Sequence, residues 1–452
     1  MTTFWQGDLA TTIAVAGRVS DPATRSPHLS AWLGGCAANA PVSSNVGWGE
    51  LPFQRWMKFK EAFSPKFVVD ALASMPRPVR RCADPFGGSG TTALTCAFLG
   101  IEAVTIEVNP FLADLIDAKL NPPSAFELAG DFSGVLAEAR SGDFDIEVLR
   151  RRLPSTFIEP IRSVEPGAVL RFVYWREALD RILTLRMAVE RCANERSRRL
   201  LRILLGSTLV EASNVLVNGK GRRYRKGWER RRVGSGDVDR LFGDAVRRAA
   251  RDLGAFGAQS LAPATILRGD SRLLAAELGP IDAAILSPPY PNSFDYTDVY
   301  NLELWTLGYL DDAAANRRLR LATLRSHVQV HFEDPTLRPS GRLEETFDRL
   351  VQARSHLWDP RLPEMVLGYF QDMDCVLQAL HRQLSEGGRV VMVVGDSRYA
   401  GIHVDVAAIL RERAEASGFA MISATPIRSM RSSAQHGGAH ELPETCIVLE
   451  RD

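Results

Sequence analysis

The sequence predicts an α/β fold: a mostly parallel sheet whose chain is split by a helical insertion. Three observations carry this expectation. Residues 79–120 alternate strand, glycine-rich turn, helix, strand and helix, the order that builds parallel strands with crossover helices. Residues 121–263 are dominated by Arg, Leu and Ala at helical spacing. Apolar strand patterns then return at 264–270, 281–290, 388–396, 418–427 and 444–450.

In chain order, residues 1–50 are rich in Ser, Pro, Gly and Ala without periodicity and read as a mostly irregular arm that packs on the body. Residues 51–122 form the first half of the sheet domain. A helix begins within it at Pro65, with Ser64 as its N-cap, because a Ser oxygen satisfies a free amide and proline fits the first helical position. Residues 79–83 read as a strand, 84–90 as a turn and 91–99 as a helix, followed by a second strand and a helix over 110–120. Residues 123–263 form the insertion and 264–452 the second half. Within that half, 296–310 has the apolar spacing of a core helix, and 311–365 reads as an Arg-rich, irregular intrusion.

Charge and cysteine usage exclude several classes. With 55 Lys plus Arg against 54 Asp plus Glu the net charge is +1, so any attraction to a polyanion must be local. The six cysteines are scattered singly, without a Cys-x-x-Cys pair, which fits a reducing compartment. The N-terminal residues lack a basic start followed by an apolar stretch, and no long apolar run occurs. A cytoplasmic protein without a membrane partner is expected.

Two motifs carry the chemistry. In the first, Asp84, Pro85, Phe86, Gly87, Gly88, Ser89, Gly90 and Thr91 lie where a strand hands over to a helix. Glycines there admit a ligand close to the backbone and leave helix N-terminal amides free to donate. The loop lacks the Lys of a phosphate-cradling P-loop, and it lacks the Gly-x-Ser-x-Gly of a nucleophile elbow. Glu107 closes the next strand, where an acid accepts hydrogen bonds from ribose hydroxyls. Taken alone such a loop is a tight turn and such an acid a solvated strand end; together they point to a nucleoside-containing cofactor.

The second motif is Ser287, Pro288, Pro289 and Tyr290 at the end of a buried strand, preceded by Asp270 at the end of another. Consecutive prolines stop the ladder and stiffen the chain where ligands of open α/β sheets bind. A planar amine offers two N–H donors, which the Ser287 oxygen and the Pro288 carbonyl accept while the Tyr290 ring covers its face.

This combination resembles the S-adenosylmethionine-dependent DNA amino-methyltransferases of the N4-cytosine and N6-adenine type found in restriction–modification systems. The resemblance implies a Rossmann-like class I methyltransferase sheet and S-adenosyl-L-methionine as cofactor. In that family the Phe-x-Gly-x-Gly loop, here Phe86 to Gly90, wraps the methionine portion and the acid after the second strand holds the ribose. The Ser-Pro-Pro-Tyr segment binds the target amine. Phe63, Ser64 and Pro65 match a further cofactor motif, and Asp270 sits where the family contacts the adenine amino group. Serine in first place leans toward cytosine N4. The region between the motifs is where some members carry target recognition.

Chemistry agrees with an amine target. Methylating a ring carbon needs a thiolate, commonly from a Pro-Cys pair in this family group, and no cysteine here follows a proline. An amine needs acceptors and in-line positioning only. Within residues 218–233, the basic and aromatic set Lys220, Arg222, Arg223, Tyr224, Arg225 and Lys226, with Trp228, is the candidate nucleic-acid grip. Its bland reading is a solvated helix face or loop. A base in duplex DNA would have to flip out to reach Tyr290. His327 and His331 lack the Glu of a zinc motif, and no metal is expected. Asp295, Tyr296 and residues 395–397 are further candidates to line the pocket. Two alternatives stay open: an RNA amino-methyltransferase, since tRNA guanine-N2 enzymes share a similar platform, and a non-catalytic nucleic-acid-binding scaffold. A cognate nuclease is a candidate partner, and the sequence leaves oligomeric state undetermined.

Overall fold

The computed structural model describes residues 9–35, 49–59, 63–159, 171–218, 221–257, 261–431 and 441–452. Eleven strands are formed among them: β1 Arg81–Asp84, β2 Glu102–Glu107, β3 Val215–Asn218, β4 Gly221–Tyr224, β5 Ala264–Arg268, β6 Ile281–Leu286, β7 Leu384–Gly395, β8 Ser397–Tyr399, β9 Ile402–Val404, β10 Phe419–Arg431 and β11 Glu441–Arg451. Seven of them make one sheet in the order β10-β11-β7-β6-β1-β2-β5. The ladders β5–β2, β2–β1, β1–β6 and β6–β7 are parallel, while β7–β11 and β11–β10 are antiparallel. The predicted Rossmann-like, mostly parallel sheet is therefore present, closed at one edge by a long antiparallel hairpin.

The strand order reverses between β1 and β6. Chain crossovers leave in opposite directions from that point, so a crevice opens at the carboxyl ends of the two strands. Both motifs sit there. The helix Thr91–Leu99 follows β1 and Pro110–Leu120 follows β2, as the sequence predicts. Ser64 accepts the Phe67 amide at 3.1 Å and Pro65 opens the helix Pro65–Ala73.

The N-terminal arm is more ordered than its composition predicts. Helices Leu9–Val19 and Leu29–Gly34 form, because Leu29, Trp32 and Leu33 bury completely or nearly so against the sheet domain. The Trp32 ring stacks on Phe98 with centroids 4.2 Å apart and planes 2° from parallel, and its indole N–H donates to the Pro52 carbonyl at 3.1 Å.

The region 123–263 is largely helical. Its helices Ala125–Ser141, Arg176–Glu190, Glu195–Thr208 and Ser235–Phe256 share one apolar core with the cofactor side of the sheet. Asp252, buried on the last of these, accepts from the Phe53 amide at 3.1 Å and the Trp56 indole at 2.9 Å and pairs with Arg55. The basic segment 218–233 begins in the paired strands β3 and β4 and continues through a turn and a short 3-10 helix at Trp228–Arg230, so its bland reading as a helix face or loop holds only for the later part. The intrusion at 311–365, expected to be irregular, contains helices Ala313–Leu321 and Arg342–Gln352; the second places Leu343 and Leu350 in the core. No helix among the described residues is long and apolar enough to cross a membrane.

Truncating a fully buried aromatic side chain removes its burial and leaves a cavity, at a cost of about 3–5 kcal/mol. Trp32→Ala should lose about that much in urea unfolding, with an unchanged sheet signature. An unaltered midpoint would mean that the arm is dispensable to the fold.

Candidate active site

A cleft of about 1120 Å³ occupies the switch point and is lined by both motifs. Its first half is the glycine loop. The Gly87 amide donates to the Ile106 carbonyl at 2.9 Å, drawing the loop across β2. A Cβ on Gly87 would lie 2.4 Å from Thr105 Oγ1 and 2.9 Å from Ile116 Cδ1, so this position admits no side chain. Gly88 and Gly90 have φ of +52° and +78°, the left-handed region that favours glycine. Behind the loop, buried Lys119 donates to the Ser89 carbonyl at 2.5 Å and to Gln54 at 3.1 Å, which fixes the loop from below. Burial depresses the Lys119 ammonium to about 7.

Glu107 ends β2 at the same crevice. Its carboxylate accepts the Gly88 amide at 2.7 Å and the Asn109 amide at 2.8 Å. Burial raises it to about 7, against the pull of those amides, and raises Asp84 to about 6. Two acceptor sites of the Glu107 carboxylate are thus taken by backbone, and further lone pairs are available to a diol. Val108 and Leu112 add an apolar wall beside it.

The second half is the platform after β6. Ser287, Pro288, Pro289 and Tyr290 all line the cleft. The Tyr290 hydroxyl donates to Glu444 at 2.7 Å and lies 3.3 Å from Ser287 Oγ. Burial of that hydroxyl, then the Glu444 charge, hold the phenol well above its ordinary range, so it remains a donor. The chain beyond is pinned by Tyr399, whose hydroxyl donates to the Pro291 carbonyl at 2.6 Å, and by the Ser293 amide, which donates to Ser326 at 2.9 Å.

The predicted residues do not all reach the cleft. Phe63, Asp84, Pro85, Phe86, Gly87, Gly88, Ser89, Thr91, Glu107 and Asp270 line it; Ser64, Pro65 and Gly90 do not. Ser64 and Pro65 build a helix start behind the wall, and Gly90 is the turn into the next helix. Asp270 caps the short helix Ser271–Leu274 and is engaged by the Arg272 guanidinium at 2.6–3.0 Å, so its charge is already partnered. Asp295, Tyr296, Asp396 and Ser397 line the cleft as anticipated, and Gly395 does not.

Of the basic set, Arg223 alone among the described members lines the cleft; Lys220 lies outside the described residues. Arg222 stacks on Phe157 and Arg225 bonds the Val210 carbonyl and Glu211, so these two serve the insertion's own packing. Lys226 is exposed away from the cleft. Trp228, expected to stack on bases, is 6% exposed and packed with Phe172, Trp175 and Tyr224. Four aromatics in one patch fill the core beneath the hairpin in preference to meeting solvent.

Sequence reasoning missed Glu444, Arg428 and Trp358. Glu444 opens and Arg428 directly follows segments that read simply as strands, 444–450 and 418–427, and nothing local distinguishes them. Trp358, 51% exposed at the cleft, lay in a segment taken as irregular.

A glycine loop with no room for a Cβ at Gly87, a buried acid at the end of β2 and the Ser-Pro-Pro-Tyr segment after β6 thus share one cleft of a Rossmann-like, mostly parallel sheet. No family model matches the chain. Among characterised proteins it is 28% identical over 418 residues to the Type II methyltransferase M.AvaI of a Nostoc species, covering 85% of this chain and 83% of that protein; the Anabaena variabilis M.AvaI gives the same figures. It is 25% identical over 465 residues to the Type II methyltransferase M.BsoBI of Geobacillus stearothermophilus, covering 88% and 85%. The resemblance read from the motifs thus extends over most of the chain. Solved structures with some similarity are TrmN from Thermus thermophilus (14% identity, TM-score 0.28, covering 86% of this chain and 49% of that one) and the rRNA methyltransferase aviRa from Streptomyces viridochromogenes (12%, 0.29, covering 86% and 85%).

The raised Glu107 gives a pH signature. With Glu107 as the acceptor of the ribose hydroxyls, which donate best to a carboxylate, protons would compete with the cofactor as pH falls through about 7. Calorimetry should show affinity for S-adenosylmethionine dropping about tenfold between about pH 8 and about pH 6. Glu107→Gln should bind weakly and lose that slope; a retained slope would assign it elsewhere.

Proposed function

We propose that the protein is a site-specific DNA methyltransferase that transfers a methyl group from S-adenosylmethionine to an exocyclic amine, with cytosine N4 favoured over adenine N6, in a restriction–modification setting in the cytoplasm. One observation carries this reading: Ser287 and Tyr290 share a single cleft with the glycine loop and Glu107, on adjacent strands. The chain's relatives, the Type II methyltransferases M.AvaI and M.BsoBI, support it over their shared length.

The bound cofactor supplies an electrophilic methyl sulfonium; the chain supplies binding, orientation and exclusion of water. Glu107 and the side-chain-free backbone of the glycine loop, whose Gly87, Gly88 and Gly90 amides are spent on the loop's own bonds, would hold the cofactor at one end of the cleft. Ser287 Oγ and the Pro288 carbonyl accept the two amine N–H bonds, which fixes the nitrogen in the plane of the base and turns its lone pair toward the donor. The Tyr290 ring covers the base face. Holding both reactants in line supplies most of the acceleration that an amine target needs. No described cysteine lines the cleft, so the covalent route to a ring carbon has no nucleophile there among the described residues.

DNA must present an extruded base, at a cost of a few kcal/mol for unstacking. Arg223, exposed on hairpin β3–β4 at the rim, is placed to meet a phosphate, and Trp358 is placed to cover the opened stack. The insertion 123–263 would in this way contribute to target recognition.

Incubation with labelled S-adenosylmethionine and unmethylated genomic DNA, followed by digestion and mass identification of nucleosides, should yield N4-methylcytosine. N6-methyladenine would correct the base alone. Label in tRNA but not DNA would overturn the substrate. Ser287→Ala should cut the rate by about 100-fold while cofactor affinity stays unchanged. Arg223→Ala should weaken binding equally for all DNA sequences and reduce the salt slope by about one; an unchanged slope would remove it from the interface.

A further inference from the structure

Glu444 lies on β11, far in sequence from either motif, yet it is 2% exposed and lines the cleft. It accepts the Tyr290 hydroxyl at 2.7 Å. Arg428, opposite it on β10, donates to the same carboxylate at 2.9 Å and balances its charge. Ser287 Oγ stands 3.3 Å from the Tyr290 oxygen.

Hydrogen positions in this chain follow from what each group can do. A carboxylate has no proton to give, so Tyr290 must donate to Glu444. A phenol has one proton, and with it committed Tyr290 offers Ser287 only lone pairs. Ser287 then directs its own proton at Tyr290 and presents lone pairs alone toward the cleft. The polarity runs one way, from the cleft through Ser287 and Tyr290 to Glu444.

We propose that Glu444, held by Arg428, orients this chain so that Ser287 accepts from a target amine, and that Glu444 receives the proton released on methylation. This rests on the reading that the cleft methylates an amine. A base edge that itself only accepts, such as a carbonyl, meets no donor at Ser287, so the chain selects amino-bearing edges. In the transfer the amine nitrogen forms its bond to the methyl carbon, and the carbon–sulfur bond breaks with its electron pair left on sulfur. The surplus amine proton passes to Ser287 Oγ as the Ser287 proton passes to Tyr290 and the Tyr290 proton to Glu444 Oε1. The product amine and a neutral Glu444 remain. Ser287 touches the substrate; Glu444 is a positioning residue that acts through Tyr290.

The test uses the full chain, S-adenosylmethionine and unmethylated genomic DNA under single-turnover conditions, for wild type, Tyr290→Phe, Glu444→Gln and the double variant. The Phe ring keeps its face but breaks the chain; Gln keeps the shape but can donate, which frees the polarity to reverse. Each single variant should slow transfer by about 100-fold, the scale of a lost proton-transfer partner. The double variant should be no slower than either single one, because both remove one chain. Cofactor and DNA affinity should be unchanged at a temperature where each variant stays folded, which a merely structural role would not allow; loss of the Arg428 ion pair lowers the melting temperature of Glu444→Gln without altering this readout. A wild-type rate in Glu444→Gln, or losses that multiply in the double variant, would overturn the proposal. If Glu444→Gln fails to fold, Tyr290→Phe alone decides, and a wild-type rate there overturns it. A wild-type protein that methylates no DNA would instead sink the reading on which the proposal rests.

Discussion

The ladder between β1 and β6 is the contact on which the rest depends. Cys82 and Ala83 pair with Ala283 and Ala284, and Asp282 accepts the Arg80 and Arg81 amides at 2.8 and 3.0 Å across 202 and 201 residues of sequence. That register brings the end of β1, with the glycine loop, beside the end of β6, with Ser-Pro-Pro-Tyr. Small residues at these positions let two fully buried strands lie between helical layers. A one-residue slip would turn each strand's side chains to the opposite layer and carry the two motifs out of alignment. The two motifs are thus joined by backbone pairing, and their side chains inherit their positions from it.

Around that contact the chain invests in rigidity. Lys119 buries an ammonium to hold the carbonyl of Ser89, Tyr399 anchors the turn after the prolines, and Asp252 ties the insertion to the start of the first half through three donors. Burying such groups costs solvation, which hydrogen bonds only partly return. The return is a cleft whose walls are fixed by the chain's own bonds, as the proposed in-line transfer to an amine would require.

Much of the fold was legible because parallel strands and their helices leave local signatures. The helices Thr91–Leu99 and Pro110–Leu120 match their predicted bounds, and Ser64 with Pro65 caps the expected helix. The arm was misread because Leu29, Trp32 and Leu33 make a helix stable only through the Phe98 surface they cover, a partner invisible to local pattern. The hairpin β3–β4 was missed for a related reason: Val215–Asn218 is a short apolar run closed by Asn218 and Gly221–Tyr224 is Arg-rich, so neither strand shows an alternation of apolar and polar residues. The same blindness covers the site. Gly87 and Ser287 announce themselves by motif, whereas Glu444 matters through one hydrogen bond to a residue 154 positions away. The converse error also occurred at Trp228, where an aromatic beside arginines looked like a stacking surface and is core.

That one cleft holds both reactants is tested most directly by a crystal structure of the chain with a non-reactive cofactor analogue and its DNA. The predicted result is the analogue against Gly87, Gly88 and Glu107, with an extruded base under Tyr290 whose amine is hydrogen-bonded to Ser287 Oγ. A base left stacked in the duplex, or an analogue bound away from the glycine loop, would contradict it.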